Sequence, residues 1–422
     1  MRAASLALII PVLQSLPVLG APLTRDAAIR EAVIQNPELA VAMAEIARAQ
    51  SRLRWSGRLD NPELELSSST DQLGLNEDEG TFEIAFSQRF PVTSRLRDER
   101  TVRRQDVALA EIEFAIRQRQ LAYAVDRAWI ELTSARRAET LQSELLKVNR
   151  GIAEFLKERA KLGEVSSLEA TQAALNGTLI EQGLGVASKG ATEASATLAA
   201  LLGREPGASV AVTGTIVLPK DAPPITADLQ SALANRPDFQ AVLASRDLGQ
   251  AQLALAMSQR WDDIAVKVFA ERERVFDEPA GLERNTLVGV GISIPLPLRQ
   301  RNQQAIEEAE IDIRKAEWKR NAKAFEIHSE LRKALVARRA AFDLLQSATG
   351  KALPMAKSNF EAFRAAQQNG QASPLQVQQA QTQLLQLENS ALQLRKDYEL
   401  LDAEVRFLSG TYPIPKPVRE SK

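Results

Sequence analysis

The sequence has no cysteine, and its other soft metal ligands are few: one histidine, His328, and four methionines. The absence of cysteine excludes a disulfide framework, a thiolate metal site and a lipid anchor on an N-terminal cysteine. Basic residues number 53 and acidic residues 54, and no block of the chain is strongly basic. A nucleic-acid-binding surface is therefore not expected.

Long apolar runs are also rare. The first residues combine Arg2 with an apolar stretch at Leu6–Ile10 and small residues near Ala21, a pattern that predicts a signal peptide at residues 1–21. Elsewhere no run reaches about 18 apolar residues, so no transmembrane helix is expected. Aromatic residues make up only 5% of the chain, whereas Ala, Leu, Gln, Glu and Arg are abundant, a composition typical of long helices.

The chain repeats itself once. Asn36–Glu38 recurs as Arg236–Asp238, and Leu201–Gly203 recurs as Leu408–Gly410. Further matches fall in the same order between these two pairs, so we infer a duplication. The predicted division is a first repeat at 22–203, an equatorial linker at 204–225 with a β-like segment at 209–217, a second repeat at 226–410 and a tail at 411–422.

Each repeat is predicted to contain a helix, two strands and a long helical hairpin. In the first repeat these fall at Thr24–Gly57, Pro62–Thr70, Thr81–Pro91, Ser94–Lys161 and Ser166–Leu202. In the second they fall at Asp228–Gln259, Ile264–Phe276, Asn285–Pro295, Arg299–Gln368 and Pro374–Leu408. A helix of roughly 65 residues is about 100 Å long, which suits a tube or a coiled coil and not a compact globule.

The predicted strands alternate between apolar and polar residues with a period of two. This pattern fits transmembrane β-strands, and a half-buried soluble sheet would show it equally. Four strands cannot close a barrel, and open sheet edges are unstable in lipid, so a membrane sheet would need several chains. The predicted lipid-facing residues are Leu64, Leu66, Phe82, Ile84, Phe86, Val266, Val288, Val290 and Ile292.

Both long hairpins carry the same turn signal. Gly163 and Gly370 stand where a tight turn requires a positive φ. Each is followed by a potential capping box, Ser166 with Glu169 and Ser373 with Gln376, in which side chain and backbone would satisfy each other.

The chain resembles the TolC family of outer-membrane efflux proteins over nearly its whole length after the predicted signal peptide. The resemblance depends on the order and spacing of the repeated motifs: Asn36–Glu38 and Arg236–Asp238, Phe90-Pro91 and Ile294–Leu298, Gly163–Glu169 and Gly370–Gln376, Leu201–Gly203 and Leu408–Gly410. The stretch Ile294–Gln303, leading into Ala305–Ala309, is similar to the heavy-metal (CzcC-type) branch.

The resemblance implies a mainly α fold with a small β part. Each chain would contribute to a long α-helical barrel and add four transmembrane strands, and a homotrimer would close a twelve-stranded β-barrel in outer membrane lipid. The protein would extend into the periplasm and passively conduct solute from an inner-membrane pump of the resistance-nodulation-division class and a periplasmic adaptor. In the heavy-metal branch that solute would be metal cations.

The resemblance also directs attention to the hairpin tips as a periplasmic gate and adaptor-docking site. In the family, acidic residues near the second tip form rings that narrow the periplasmic entrance; at the matching positions this chain has Gln376 and Gln379. The arginine that the family places just after the glycine matches Ala372, so this chain departs from the family pattern at both features. Glu169 either forms an acidic ring from the first repeat or only caps its helix. The candidate tip residues are Gly163, Glu164, Ser166, Glu169, Gly370, Ser373, Gln376 and Gln379.

No catalytic pattern is present, so neither an enzyme nor a cofactor is expected. Gly183–Gly185 lies in a predicted helix and Gly289–Gly291 in a predicted strand, the wrong context for a phosphate or dinucleotide loop. His328 has only Glu326 and Glu330 nearby, too few ligands for a metal site. The alternative function is an envelope structural or adhesive coiled coil, which would not need paired strands at equivalent repeat positions.

Overall fold

A computed structural model describes residues 22–70, 80–214, 219, 221–277, 279 and 281–412. The predicted signal peptide and the tail from residue 413 onward lie outside the described residues. Among the helices that are described, none combines the length and the apolar character needed to cross a bilayer.

The two halves of the chain contain the same order of elements. The first half contains α1 (Arg25–Gln35), α2 (Pro37–Trp55), β1 (Glu63–Thr70), β2 (Gly80–Phe90), α3 (Arg95–Lys161) and α4 (Ser167–Leu201). The second contains α5 (Leu229–Asn235), α6 (Pro237–Ser258), β3 (Ile264–Asp277), β4 (Gly281–Ser293), α7 (Gln303–Ser347), α8 (Leu353–Gln368) and α9 (Pro374–Leu408). With 67 residues, α3 is about 100 Å long.

The first helix of each half is broken, so the prediction of single helices at Thr24–Gly57 and Asp228–Gln259 was wrong. A residue that precedes proline is disfavoured in the α conformation, and Asn36 and Arg236 accordingly have extended backbones. Asn36 then caps the next helix, because its Oδ1 accepts a hydrogen bond from the Glu38 amide at 2.8 Å.

The predicted continuous helix at Arg299–Gln368 was also wrong. Its start moves to Gln303, after Asn302 in the left-handed region with φ 56°. A π-helical turn at Ala348–Ala352 separates α7 from α8. Pro354, the second residue of α8, has no amide hydrogen to donate to the preceding turn, which is a recognised cause of such interruptions.

The four strands form one antiparallel sheet in the order β1-β2-β3-β4. The central β2–β3 pair joins the two halves of the chain, with Phe86 opposite Val268. On the outer pairs Leu64 lies opposite Phe86, and Val268 opposite Val290. The register is continuous, so residues of equal parity share a face across the whole sheet.

The main buried core lies along the middle of α3, where α1, α4 and α9 meet it. Its fully buried side chains include Val125, Ile130, Leu132, Leu198 and Leu202, each contributing about 1.5–3 kcal/mol. In the linker, Val212 forms an isolated parallel bridge with Leu23; residues 215–217 of the predicted β-like segment lie outside the described residues.

Candidate functional site

One face of the sheet is apolar and exposed. Every predicted lipid-facing residue lies on it, because the register places each in a row with other even-numbered strand residues. In the single chain Val288 is 77%, Val290 69% and Leu64 65% exposed. Contiguous apolar faces of this kind mark contact with a membrane or another protein.

The length of the apolar face along the strands is similar to the height of the apolar band of a membrane barrel. On β2 it runs from Phe82 to Phe90, with Gln88 as its one polar member, which corresponds to about 26 Å along the strand before any tilt. The apolar band of outer-membrane barrels is about 25 Å tall. On β4 the apolar residues continue beyond the last strand residue at the exposed Ile294.

The opposite face of the sheet is polar and mostly acidic. Lys267 lies between two carboxylates, with its Nζ 2.5 Å from Glu83 and 3.4 Å from Glu65. Arg89 pairs with Glu63 at 3.5 Å. Among the described side chains of this face, the acidic residues are Glu63, Glu65, Glu83, Glu271, Glu273 and Glu283, and the basic residues are Arg89 and Lys267.

The polar face also holds an aromatic ring that sequence reasoning missed. Phe269 lies opposite Gly289, and a Cβ on that glycine would come within 2.5 Å of the ring. The glycine leaves room for the tip of the Phe269 ring, which extends over the neighbouring strand. A Gly-x-Gly pattern inside a strand is the available sequence signal for such a close approach.

The two outer strands have no partner on one side in the described chain. β1 pairs only with β2, and β4 pairs only with β3. Both edges therefore present a row of unpaired backbone amides and carbonyls. An edge of 13 residues on β4 is long for a soluble protein.

The hairpin turns have the predicted backbone conformation. Gly163 has φ 74° and Gly370 has φ 71°. In both turns the glycine amide bonds three residues back, and the next amide bonds five residues back: Glu164 N to Arg159 O at 3.0 Å and Gln371 N to Ala366 O at 2.8 Å. This is the hydrogen-bond pattern of a glycine helix terminus.

The two helix restarts differ in their caps. At the second tip both hydrogen bonds of the capping box form, Ser373 N to Gln376 Oε1 at 2.9 Å and Gln376 N to Ser373 Oγ at 3.3 Å. At the first tip the Ser166 Oγ accepts from the Leu168 amide at 3.2 Å instead. The predicted box between Ser166 and Glu169 was wrong, because the serine satisfies the second amide of the helix and not the third.

The first tip consequently leaves one carboxylate uncommitted. Glu169 is exposed, and its carboxylate forms no hydrogen bond or ion pair with any of the described residues. Its neighbour Glu164 pairs with Arg159 at 3.0 Å. At the second tip Gln376 and Gln379 are both exposed.

The two hairpins lie side by side near their tips. Phe155 and Ile152 of α3 line a small cavity, about 230 Å³, together with Gln367 and Val377 of the second hairpin. The packing of α3 on α9 continues this contact away from the tips. The structure therefore brings both predicted tip regions to the same end of the helices, opposite the sheet.

A buried charged network connects α1 and Tyr412 to the long helices α3 and α9. Asp126 on α3 is fully buried and accepts hydrogen bonds from Arg25 and from the Tyr412 hydroxyl. Arg25 also lies 3.8 Å from Glu399 on α9. Burial raises the pKa of Glu399 to about 7, although the charge of Arg25 opposes the shift. Sequence reasoning missed this network because its members are distant in sequence.

His328 is exposed on α7. In the described part of the chain no group of three or more His, Asp or Glu residues is arranged to hold a metal ion.

A family model described as outer membrane efflux protein matches residues 28–204 and 229–411. Solved structures with a similar fold include a CusC channel (TM-score 0.72, 19% identity, 91% of each chain). The CmeC outer membrane channel of Campylobacter jejuni matches at TM-score 0.72 and 15% identity over 92% of this chain and 85% of that one. The outer membrane protein VceC of Vibrio cholerae matches at 0.68 and 20% over 92% and 96%. A comparison with curated protein sequences gives no match.

Proposed function

We propose, from the premise that the chain belongs to the outer membrane efflux protein family, that three copies form one outer membrane channel. Each copy would add its four strands to a twelve-stranded barrel, and the long helices would continue the duct into the periplasm. The channel would conduct solute passively from an inner-membrane pump of the resistance-nodulation-division class and a periplasmic adaptor.

The exposed apolar face with two open edges carries this proposal. An open sheet is unstable in lipid because its edge amides have no partner. Four strands are too few to close a barrel. Pairing β4 of one copy with β1 of the next removes both edges, places Val288 and Leu64 against lipid, and turns the acidic face inward.

The acidic inner face favours cations as the conducted solute, with heavy-metal cations as first candidates. Among the described side chains, six carboxylates and two basic groups line this face in each chain, and a narrow duct concentrates ions of opposite charge. In planar bilayers under a KCl gradient, Glu271→Gln combined with Glu273→Gln should reduce cation preference. Glu307→Gln, on the exposed surface of α7, is the control and should leave the reversal potential unchanged.

The hairpin tips are proposed as the periplasmic gate and the adaptor-docking site. The free carboxylate of Glu169 supports a charged ring at the first tip, since it is not occupied by capping. Gln376 and Gln379 are neutral, so such a ring would come from the first repeat alone.

The assembly is tested by extracting the protein from outer membranes in mild detergent and measuring its mass. The expected result is a species of three chains that resists dissociation in SDS without heating. A soluble monomer recovered from the periplasm would refute the proposal and would favour a structural coiled-coil protein.

A further inference from the structure

Three arginines stand at the far end of the apolar face. The register places Arg272 beside Phe82 and Thr286, and Arg274 directly opposite Arg284. All three arginines are exposed and share the face of Val266 and Val288. They therefore form a basic cluster immediately beyond the apolar rows.

The acidic residues next to these arginines in sequence point the other way. Strand β3 reads Glu-Arg-Glu-Arg at 271–274, and β4 carries Glu283 before Arg284. Because successive strand residues alternate between faces, every glutamate in this part of the sheet lies on the polar face. The arginine cluster is thus separated by the sheet itself from its sequence-adjacent carboxylates.

Arg274 lies directly opposite Arg284 on the neighbouring strand. Arg274 also makes a contact within the chain, so the larger role falls to Arg272 and Arg284. A guanidinium binds phosphate through two parallel hydrogen bonds. A phosphate group at this end of the face could therefore accept hydrogen bonds from the exposed Arg272 and Arg284.

We propose that this cluster binds the phosphate groups of a phosphorylated glycolipid of the lipid A type in the outer leaflet. The inference rests on the proposed membrane function. The cluster is continuous with the face that acyl chains would cover, so a lipid headgroup fits it better than a free anion. It also lies at the hairpin ends of the sheet, away from Phe90 and Ile264, where the strands join the periplasmic helices.

The test uses the full chain reconstituted in phosphatidylcholine vesicles with and without lipid A. Wild type is compared with Arg272→Gln/Arg284→Gln and with Arg89→Gln, which removes an arginine from the polar face of the same sheet. Bound lipid A is measured after detergent extraction, and trimer melting is measured in each vesicle type. A third arm adds inorganic phosphate to the phosphatidylcholine vesicles.

Lipid A should raise the melting temperature of wild type and of Arg89→Gln, and should bind the double variant roughly tenfold or more weakly. In phosphatidylcholine alone the double variant should melt close to wild type, because both replaced side chains are exposed. Equal lipid A responses in all three proteins, or an equal response to inorganic phosphate, would overturn the lipid A inference and leave the proposed membrane function standing. Failure of wild type to insert into either vesicle would overturn the membrane placement and the inference with it.

Discussion

An arginine at Phe86 should block assembly of the channel. Phe86 lies in the central apolar row of the sheet, between Leu64 and Val268, and half of it is exposed in the single chain. An arginine at the bilayer midplane costs about 2–4 kcal/mol in a transmembrane barrel. With one copy in each of three chains, the expected loss is roughly 6–12 kcal/mol per trimer, comparable to the whole stability of many proteins.

The assay is refolding from urea into phosphatidylcholine vesicles, followed by the fraction of SDS-resistant trimer. Ser87→Arg is the matched control, since Ser87 is the next residue of the same strand and lies on the polar face between Glu63 and Lys267. A charge there remains in an aqueous, polar row. Phe86→Arg should abolish trimer formation, while Ser87→Arg should form trimers at close to the wild-type yield.

Equal trimer yields from Phe86→Arg and Ser87→Arg would refute the assignment of the two faces. If Ser87→Arg alone failed, the faces would be reversed. Val290→Arg, in the same row on β4, gives an independent second measurement and should behave like Phe86→Arg.

Three other perturbations follow from the described contacts. Glu169→Gln should weaken divalent-cation block in single-channel recordings without changing trimer melting; unaltered block and selectivity would limit Glu169 to the helix end. Gly163→Ala and Gly370→Ala should each destabilise the fold by about 1–2 kcal/mol, because only their positive φ opposes a side chain. Gly190→Ala within α4 should instead stabilise it by about 0.5–1 kcal/mol. A change of melting temperature in the same direction for all three variants would contradict this. Burial raises the pKa of Glu399 from 4.5 to about 7, so its contribution to stability is full below about pH 4.5 and falls by up to about 3 kcal/mol as the pH rises through 7. Glu399→Gln should remove this pH dependence of thermal melting. An unchanged pH profile in the variant would rule out Glu399 as its source.

The parts of the fold that were predictable from sequence depend on local patterns. The period-two alternation of Phe82, Ile84 and Phe86 defines a strand face without knowledge of its neighbours. The turns at Gly163 and Gly370 follow from the need for a positive φ within a few residues. The breaks before Pro37 and Pro237 were open to the same kind of local reasoning, since proline restricts the residue before it.

What could not be predicted depends on register or on distant packing. The pairing of β2 with β3 joins strands from different halves of the chain, and neither sequence alone fixes which residues are opposite. Phe269 over Gly289 and the arginine cluster become visible only with that register. The bond between Arg25 and buried Asp126 spans 101 residues, and no spacing rule reaches so far. The cap at Ser166 shows that prediction is limited even over a few residues. The sequence does not decide whether the serine Oγ accepts from the Leu168 amide, as it does, or from the Glu169 amide.

In each half, the residue before the second helix donates a hydrogen bond to a carbonyl at the end of the last helix, but a neutral side chain does so in one half and a charged side chain in the other. Asn36 donates to the carbonyl of Leu201 at 3.0 Å, and Arg236, at the equivalent position, donates to the carbonyl of Leu408 at 3.4 Å. Arg236 is buried and is also held by Asp238 at 2.6 Å. Burial alone would raise the pKa of Asp238, but the hydrogen bond and the charge of Arg236 lower it below its ordinary 3.8.

The neutral and the charged anchor should therefore respond differently to pH. The lowered pKa means that Asp238 contributes stability above about pH 4 and loses it as the pH falls further. Asn36→Ala should cost about 1–2 kcal/mol, through the lost cap and hydrogen bond, and this cost should be the same at pH 3 and pH 7. Arg236→Ala should lower the free energy of unfolding more at pH 7 than at pH 3. At the lower pH Asp238 becomes protonated, and a neutral carboxyl group loses no ion pair when the arginine is removed. Parallel pH profiles for the two variants in thermal unfolding would show that Arg236 anchors the helix end through its carbonyl contact alone.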